Sequence, residues 1–259
     1  MKRLGDQMKK NPLGVIILAA GKGTRMKSEQ AKVLHCVSGQ PMLKYSIELA
    51  RKIMAEKIVV VVGHQAEVVK AKFRDEGLIF VEQREQLGTG HAVMQARPQL
   101  EDFSGNILIL CGDVPLLSLE TVRHLLDCHL EEKSVVTVLT AMLENPFGYG
   151  RIVKTPAGEV LKIVEERDAS IEEKKIKEFN SGIYCVDSSF LLQAVGEIKN
   201  DNAQKEYYLT DIVEIACQRN LSVRAVLVEN AQEILGINTP EDLQRAEDRM
   251  MRISRGEVR

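Results

Sequence analysis

The chain alternates between short, fully apolar runs and longer stretches in which apolar residues recur every three or four positions. The short runs fall at residues 14–19, 58–62, 78–81, 106–110 and 135–139 and are rich in Val and Ile. A β-branched run without polar alternation predicts a strand covered on both faces, as in a parallel sheet between helices. Among the longer stretches, Met42, Tyr45, Leu49 and Ile53 share one face of a helix predicted over 42–53 and opened by Pro41. Proline is favoured there because its missing N–H would be unpaired anyway. Ser118 is placed to cap a helix over 119–130, and Tyr208 or Thr210 to begin one through Ile212, Ile215 and Ala216.

After about residue 144 the predicted strands shorten to 151–154, 160–165 and 182–186, joined by turns such as Pro156-Ala157-Gly158. A last strand over 223–228 precedes a helix over 240–251 that Thr239 can cap. This alternation predicts an α/β protein with a Rossmann-like, mainly parallel sheet flanked by helices. We expect residues 1–12 to form a flexible extension and 13–245 the main domain, in two parts of about 13–143 and 144–238, followed by a C-terminal helix and tail over 240–259.

Composition narrows the partners. A formal charge of -2 over 259 residues gives no long-range field to gather polyanions, so an anionic ligand needs local groups. With 4% aromatic residues and no tryptophan there is little stacking surface for nucleic acid. No apolar run approaches the roughly 20 residues of a membrane span, and MKRLGDQMKKNP at the start has no apolar signal core. Cys36, Cys111, Cys128, Cys185 and Cys217 are widely spaced, without a CxxC pair, which suits reduced thiols. The expectation is a cytoplasmic protein with neither nucleic-acid nor membrane partners.

The candidate chemistry starts at LAAGKGTRMKSEQAK, residues 18–32, directly after the first apolar run. A dinucleotide fingerprint would continue GxGxxG, but Met26 stands where the third glycine belongs, and no acidic residue ends the second strand. A P-loop would need glycine at Ile16 and Ser or Thr after Lys22, where Gly23 stands. What remains is a small-residue turn, Ala19-Ala20-Gly21, with cations at Lys22, Arg25 and Lys32. Small residues let backbone N–H groups approach a phosphate closely, and cations neutralise charge too dense for dipoles alone.

In order and spacing, LAAGKGTRM with Lys32-Val33-Leu34 resembles the signature of sugar-1-phosphate nucleotidylyltransferases. Gln86-Leu87-Gly88-Thr89-Gly90-His91-Ala92, Cys111-Gly112-Asp113-Val114-Pro115-Leu116 and Gly148-Tyr149-Gly150-Arg151-Ile152 extend the match. So do Ile163-Val164-Glu165, Asn180-Ser181-Gly182, Glu206-Tyr207-Tyr208 and Gly236-Ile237-Asn238. Together they resemble the uridylyltransferase domain of bifunctional bacterial N-acetylglucosamine-1-phosphate uridylyltransferase/glucosamine-1-phosphate acetyltransferases.

That resemblance implies a nucleotide-diphospho-sugar transferase (GT-A-like) fold and Mg²⁺-dependent transfer of UMP from UTP to N-acetylglucosamine 1-phosphate, with pyrophosphate released. It implies catalytic roles for Arg25, Lys32 and Asp113, and a metal held by Asp113 and Asn238. The nucleotide would lie against Leu18, Ala19, Ala20, Gly21, Gln83, Gly88, Thr89, Cys111 and Gly112, the sugar against Gly150, Glu165 and Asn180. His91 reads as structural. Nothing resembles hexapeptide repeats, so neither acetyltransferase activity nor a β-helix trimer is expected, and a monomer or weak dimer is. Glu166-Arg167 and Asn238-Thr239-Pro240 depart from the family pattern and leave another hexose 1-phosphate open as substrate, though not another reaction class; from a different class, the alternative is a non-catalytic sugar-nucleotide-binding module.

Overall fold

The computed structural model describes residues 11–257; residues 1–10 of the expected N-terminal extension and the last two residues lie outside it. Among the described residues eleven strands and seven α-helices follow one another. The first is β1 (Leu13–Ala19), then the small hairpin β2 (Cys36–Val37) and β3 (Gln40–Pro41), α1 (Met42–Lys52), β4 (Lys57–Val62), α2 (Ala66–Lys72) and β5 (Ile79–Glu82). Next come α3 (Thr89–Ala96), β6 (Asn106–Cys111), α4 (Leu119–Glu131), β7 (Val136–Met142), β8 (Arg151–Lys154) and β9 (Val160–Val164). The last are β10 (Glu178–Asp187), α5 (Ser188–Ala194), α6 (Asp211–Gln218), β11 (Val223–Leu227) and α7 (Pro240–Ser254).

Nine strands form one sheet in the order β11-β7-β10-β6-β1-β4-β5, with the β8–β9 hairpin attached through β10. The pairings of β6, β1, β4 and β5 are parallel, as are β7 and β11, whereas β10 runs antiparallel to both neighbours. Alternate residues of β1 enter different cores: Val15 and Ile17 pack with α1 and α4, Ile16 with α3, α5 and α6. Burial on both faces is why these strands read as unbroken apolar runs.

The predicted strand at 182–186 extends back to Glu178, and β10 is the longest strand of the sheet. Its register shifts between Asn180 and Tyr184. The polar segment Asn180-Ser181-Gly182 hides the strand because it forms this irregularity, where Ser181 bonds the Leu139 carbonyl and the Ile183 N–H instead of alternating with apolar partners. The last helix runs to Ser254, three residues beyond its predicted end, and Thr239 caps it in a reciprocal box with Asp242. Thr210 rather than Tyr208 stands before α6. All five cysteines are unpaired.

Candidate active site

The carboxyl ends of β1 and β6 lie side by side, since Leu18 is in register with Cys111. Open α/β sheets bind ligands at this edge. A cavity of about 310 Å³ opens here, lined by Leu18 to Gly21, Lys32, Gln83, Gly88, Thr89, Cys111 and Asp113. Gln86, Ala92, Val33 and Glu206 also line it, four residues of the quoted motifs to which no binding role was assigned. Gly112, which does not itself line the cavity, joins the two strand ends by donating its N–H to the Leu18 carbonyl at 2.9 Å. Arg25 and Asn238 line a separate cleft of about 450 Å³ with Tyr149 and Asp242, and a cleft of about 470 Å³ beside β9 and β11 contains none of the predicted residues.

The charged residues converge where Lys32 and Asp113 line the first cavity and Arg25 and Asn238 the second. The Lys32 ammonium donates to the Asp113 carboxylate and, at 3.0 Å, to Asn238 Oδ1. Arg25 donates to the same Oδ1 at 2.9 Å. Asn238 cannot present its amide the other way round, because Nδ2 donates to the Gly236 carbonyl at 3.0 Å. Its backbone is held by Asp242, whose Oδ2 accepts the N–H groups of Asn238 and Thr239 at 2.9 Å each. The α7 capping box therefore aims Asn238 at the site. Arg25 and Lys22 are both exposed, and of the two it is Arg25 that bonds Asn238.

Lys32 depends on a close approach. A Cβ at Gly23 would stand 2.6 Å from the Lys32 Cβ, and Gly23 also has φ +60. Only glycine meets both conditions without strain. Gly21, the more obvious glycine of the motif, has open space around it.

The predicted residues around Gln83 are uncharged. Gln83 is 3% exposed, and its Nε2 donates to the Gly88 carbonyl at 2.9 Å and contacts His91 Nδ1 at 3.1 Å. A carbonyl only accepts, so the amide orientation is settled and Oε1 is the atom left for a ligand. His91 also contacts Gln95, which makes it a brace for Gln83. Thr89 Oγ1 accepts the Leu209 N–H at 3.0 Å, tying α3 to the start of α6.

Gly150, Glu165 and Asn180 form a third group. The Asn180 N–H donates to the Gly150 carbonyl at 2.9 Å, and a Cβ at Gly150 would lie 3.5 Å from each Glu165 carboxylate oxygen. Asn180 Oδ1 accepts the Gly182 N–H at 3.0 Å and the Tyr184 hydroxyl at 2.9 Å, which leaves Nδ2 as a donor for a ligand. Burial raises the Glu165 pKa, partly offset by the Thr210 hydroxyl donating to it. Burial also pushes the Cys111 thiol up to about 12, so it is a packing and cavity-wall residue, not a nucleophile at neutral pH. A half-buried ion pair, Arg151 with Glu166 at 2.7 Å, fastens the turn before Gly150: Glu166 accepts the Gly148 N–H at 3.1 Å and Arg151 donates to the Tyr149 carbonyl.

Residues 15–171 match the model of the MobA-like NTP transferase domain. The chain is 51% identical over 235 residues to the bifunctional protein GlmU of Geotalea daltonii, covering 90% of this chain and 51% of that protein. It is 43% identical over 242 residues to the bifunctional protein GlmU of Desulfotalea psychrophila, covering 93% of this chain and 71% of that one. The chain spans about half the length of most of the curated relatives it matches, such as the 53% of the Syntrophotalea carbinolica protein. A putative glucose-1-phosphate thymidylyltransferase from Bacillus anthracis, solved in complex with a sucrose, shares the fold with a TM-score of 0.71 at 21% identity, over 91% of this chain and 94% of that one. The chain thus belongs to the MobA-like NTP transferase family, as the nucleotidyltransferase part of a GlmU-type protein.

Proposed function

We propose that the chain transfers UMP from UTP to N-acetyl-α-D-glucosamine 1-phosphate, giving UDP-N-acetylglucosamine and pyrophosphate. The observation that carries this reading is the convergence of Lys32, Arg25, Asp113 and Asn238 beside a cavity floored by small residues. A phosphate monoester is mostly ionised at neutral pH, its second pKa being about 6, so the sugar phosphate needs no strong base to attack the α-phosphorus. The barrier is bringing two polyanions into line, and the protein's task is positioning and charge neutralisation.

Arg25, with a planar fork suited to two oxygens, holds the departing pyrophosphate, and Lys32 sits nearer the reacting phosphates. Gln83 Oε1 accepts the uracil N3–H. Cytosine presents an acceptor at that position, so the same atom discriminates against CTP. The backbone of residues 18–21 and the Gly88-Thr89 turn carry the rest of the nucleotide. On the sugar, Glu165 accepts hydroxyl hydrogens and Asn180 Nδ2 donates to the acetamido oxygen.

A divalent cation fits this site. Asp113 and Asn238 already converge their oxygens on one cation, the Lys32 ammonium, and a carboxylate with an amide oxygen is a donor set that Mg²⁺ accepts. Asp113 and Asn238 would hold the metal, which when bound would screen phosphate charge during transfer. The protein acts on small molecules, as a monomer or weak dimer in the cytoplasm. The two parts, about 13–143 and 144–238, hold the nucleotide and the sugar respectively.

A coupled pyrophosphate assay over a panel of nucleotides and sugar phosphates, with and without Mg²⁺, tests all of this. UTP with N-acetylglucosamine 1-phosphate and Mg²⁺ should give the highest kcat/KM. Equal turnover with glucose 1-phosphate or glucosamine 1-phosphate would overturn the assigned sugar.

A further inference from the structure

Residues 20–32 carry both phosphate-facing cations, yet no strand or α-helix contains them. The turn that follows β4 touches this loop at both ends. The His64 N–H donates to the Ala20 carbonyl at 3.2 Å. Gln65 Oε1 accepts the Ala31 N–H at 2.8 Å, and its Nε2 donates to the Glu29 carbonyl at 2.7 Å. The two segments are in backbone contact, because a Cβ on Gly63 would lie 2.8 Å from the Ala20 carbonyl oxygen.

Gln65 holds this position at φ 53 and ψ 38, in the left-handed region where glycine is the default. The start of α2 does not require a glutamine. Its side chain makes no capping bond, and the Val68 and Val69 N–H groups bond the Gln65 carbonyl, which every residue has. Both ends of the amide are instead used on residues 29 and 31, immediately before Lys32. A strained backbone kept with a fully engaged side chain points to that side chain's contacts as the reason for the residue.

We propose that Gln65 is a positioning residue that closes the 20–32 loop and so sets where Lys32 meets the reacting phosphates. This rests on the reading of Lys32 as a phosphate ligand. Glycine at 65 relieves the left-handed backbone while releasing the loop, so stability and rate should separate.

The test compares the wild-type chain with Gln65→Gly and Gln65→Glu by thermal unfolding, hydrogen exchange of the 28–34 segment, and kcat with UTP and N-acetylglucosamine 1-phosphate. For Gln65→Gly we expect an unchanged or higher Tm, faster exchange at 29–32 and a kcat lower by about tenfold, the scale of a misplaced catalytic group. Gln65→Glu keeps the acceptor for Ala31 and loses the donor to Glu29, so its exchange and rate should fall between the two. Wild-type exchange and kcat in Gln65→Gly would overturn the proposal, as would a rate loss that merely follows a lower Tm. A wild-type chain that releases no pyrophosphate would overturn the uridylyl-transfer reading instead, and the exchange comparison would still decide whether Gln65 holds the loop.

Discussion

The charged and the uncharged groups of the site are prepared in different ways. Where the charges converge, Arg25, Lys32, Asp113 and Asn238 satisfy one another, with one amide oxygen shared by two cations. Among the uncharged groups, Gln83 and Asn180 each have one amide atom already bonded within the protein and the other left for a ligand. Uncompensated charges are too costly to leave waiting in a half-buried site, so they pair until a substrate exchanges partners with them. A neutral amide costs far less to leave half-satisfied, and fixing it in advance reduces what binding must order. The proposed function thus assigns charge exchange to the reaction and preorganised amides to recognition.

The comparison breaks first at Asp113. Asp113→Asn should lower kcat by about a hundredfold or more with little change in KM for UTP, the size expected for removing one strong electrostatic group. Near wild-type turnover in a pyrophosphate assay would remove Asp113 from the chemistry. At the neutral nucleotide end, Gln83→Ala should reduce kcat/KM for UTP by about tenfold and narrow the preference over CTP, since a buried polar match is lost. If the CTP to UTP ratio stays constant, Gln83 does not read the base.

A smaller effect is expected at the sugar end. Tyr184→Phe removes one of two donors on Asn180 Oδ1 while the Gly182 N–H remains. The KM for the sugar phosphate should rise about threefold, a fraction of one hydrogen bond, with the KM for UTP unchanged. Equal changes in both KM values would mean a general packing defect.

The smallest effect on either end is expected from His129, which is 2% exposed and bonded to Thr137 and Asn106. Burial lowers its pKa to about 4, opposed by Asp187. The folded protein keeps this ring neutral while the unfolded chain protonates it below about 6.5, so its contribution is intact above that pH. Stability is lost as the pH falls from about 6.5 towards 4, by up to about 3 kcal/mol. Urea midpoints measured over that range for the wild-type chain and His129→Gln check this, and parallel curves would show that another group controls the acid limb.

Legibility followed burial. The predicted strands at 14–19, 58–62 and 106–110 differ from β1, β4 and β6 by one residue at one end of each, because residues buried on both faces leave an unmistakable run. The β10 segment was obscured by Asn180 to Gly182, where polar residues occupy an irregular stretch of a strand. Gln83 reads from the chain alone as one donor and one acceptor, yet in the fold Nε2 is already engaged by Gly88 and only the acceptor is left for a base. Gln65 carries no motif, because its importance lies in contacts to residues more than 30 positions away.

By itself, the sequence determined the α/β alternation, the loop at 18–32 and the residue types needed around a phosphate, since these follow from local periodicity and from the order of chemical groups. The tertiary structure decided which of those groups meet, which atom of each amide is free, and that Gly23 rather than Gly21 seats Lys32. Those facts depend on approach distances between segments far apart in the chain, and on the low tolerance of close-packed interiors for one extra atom.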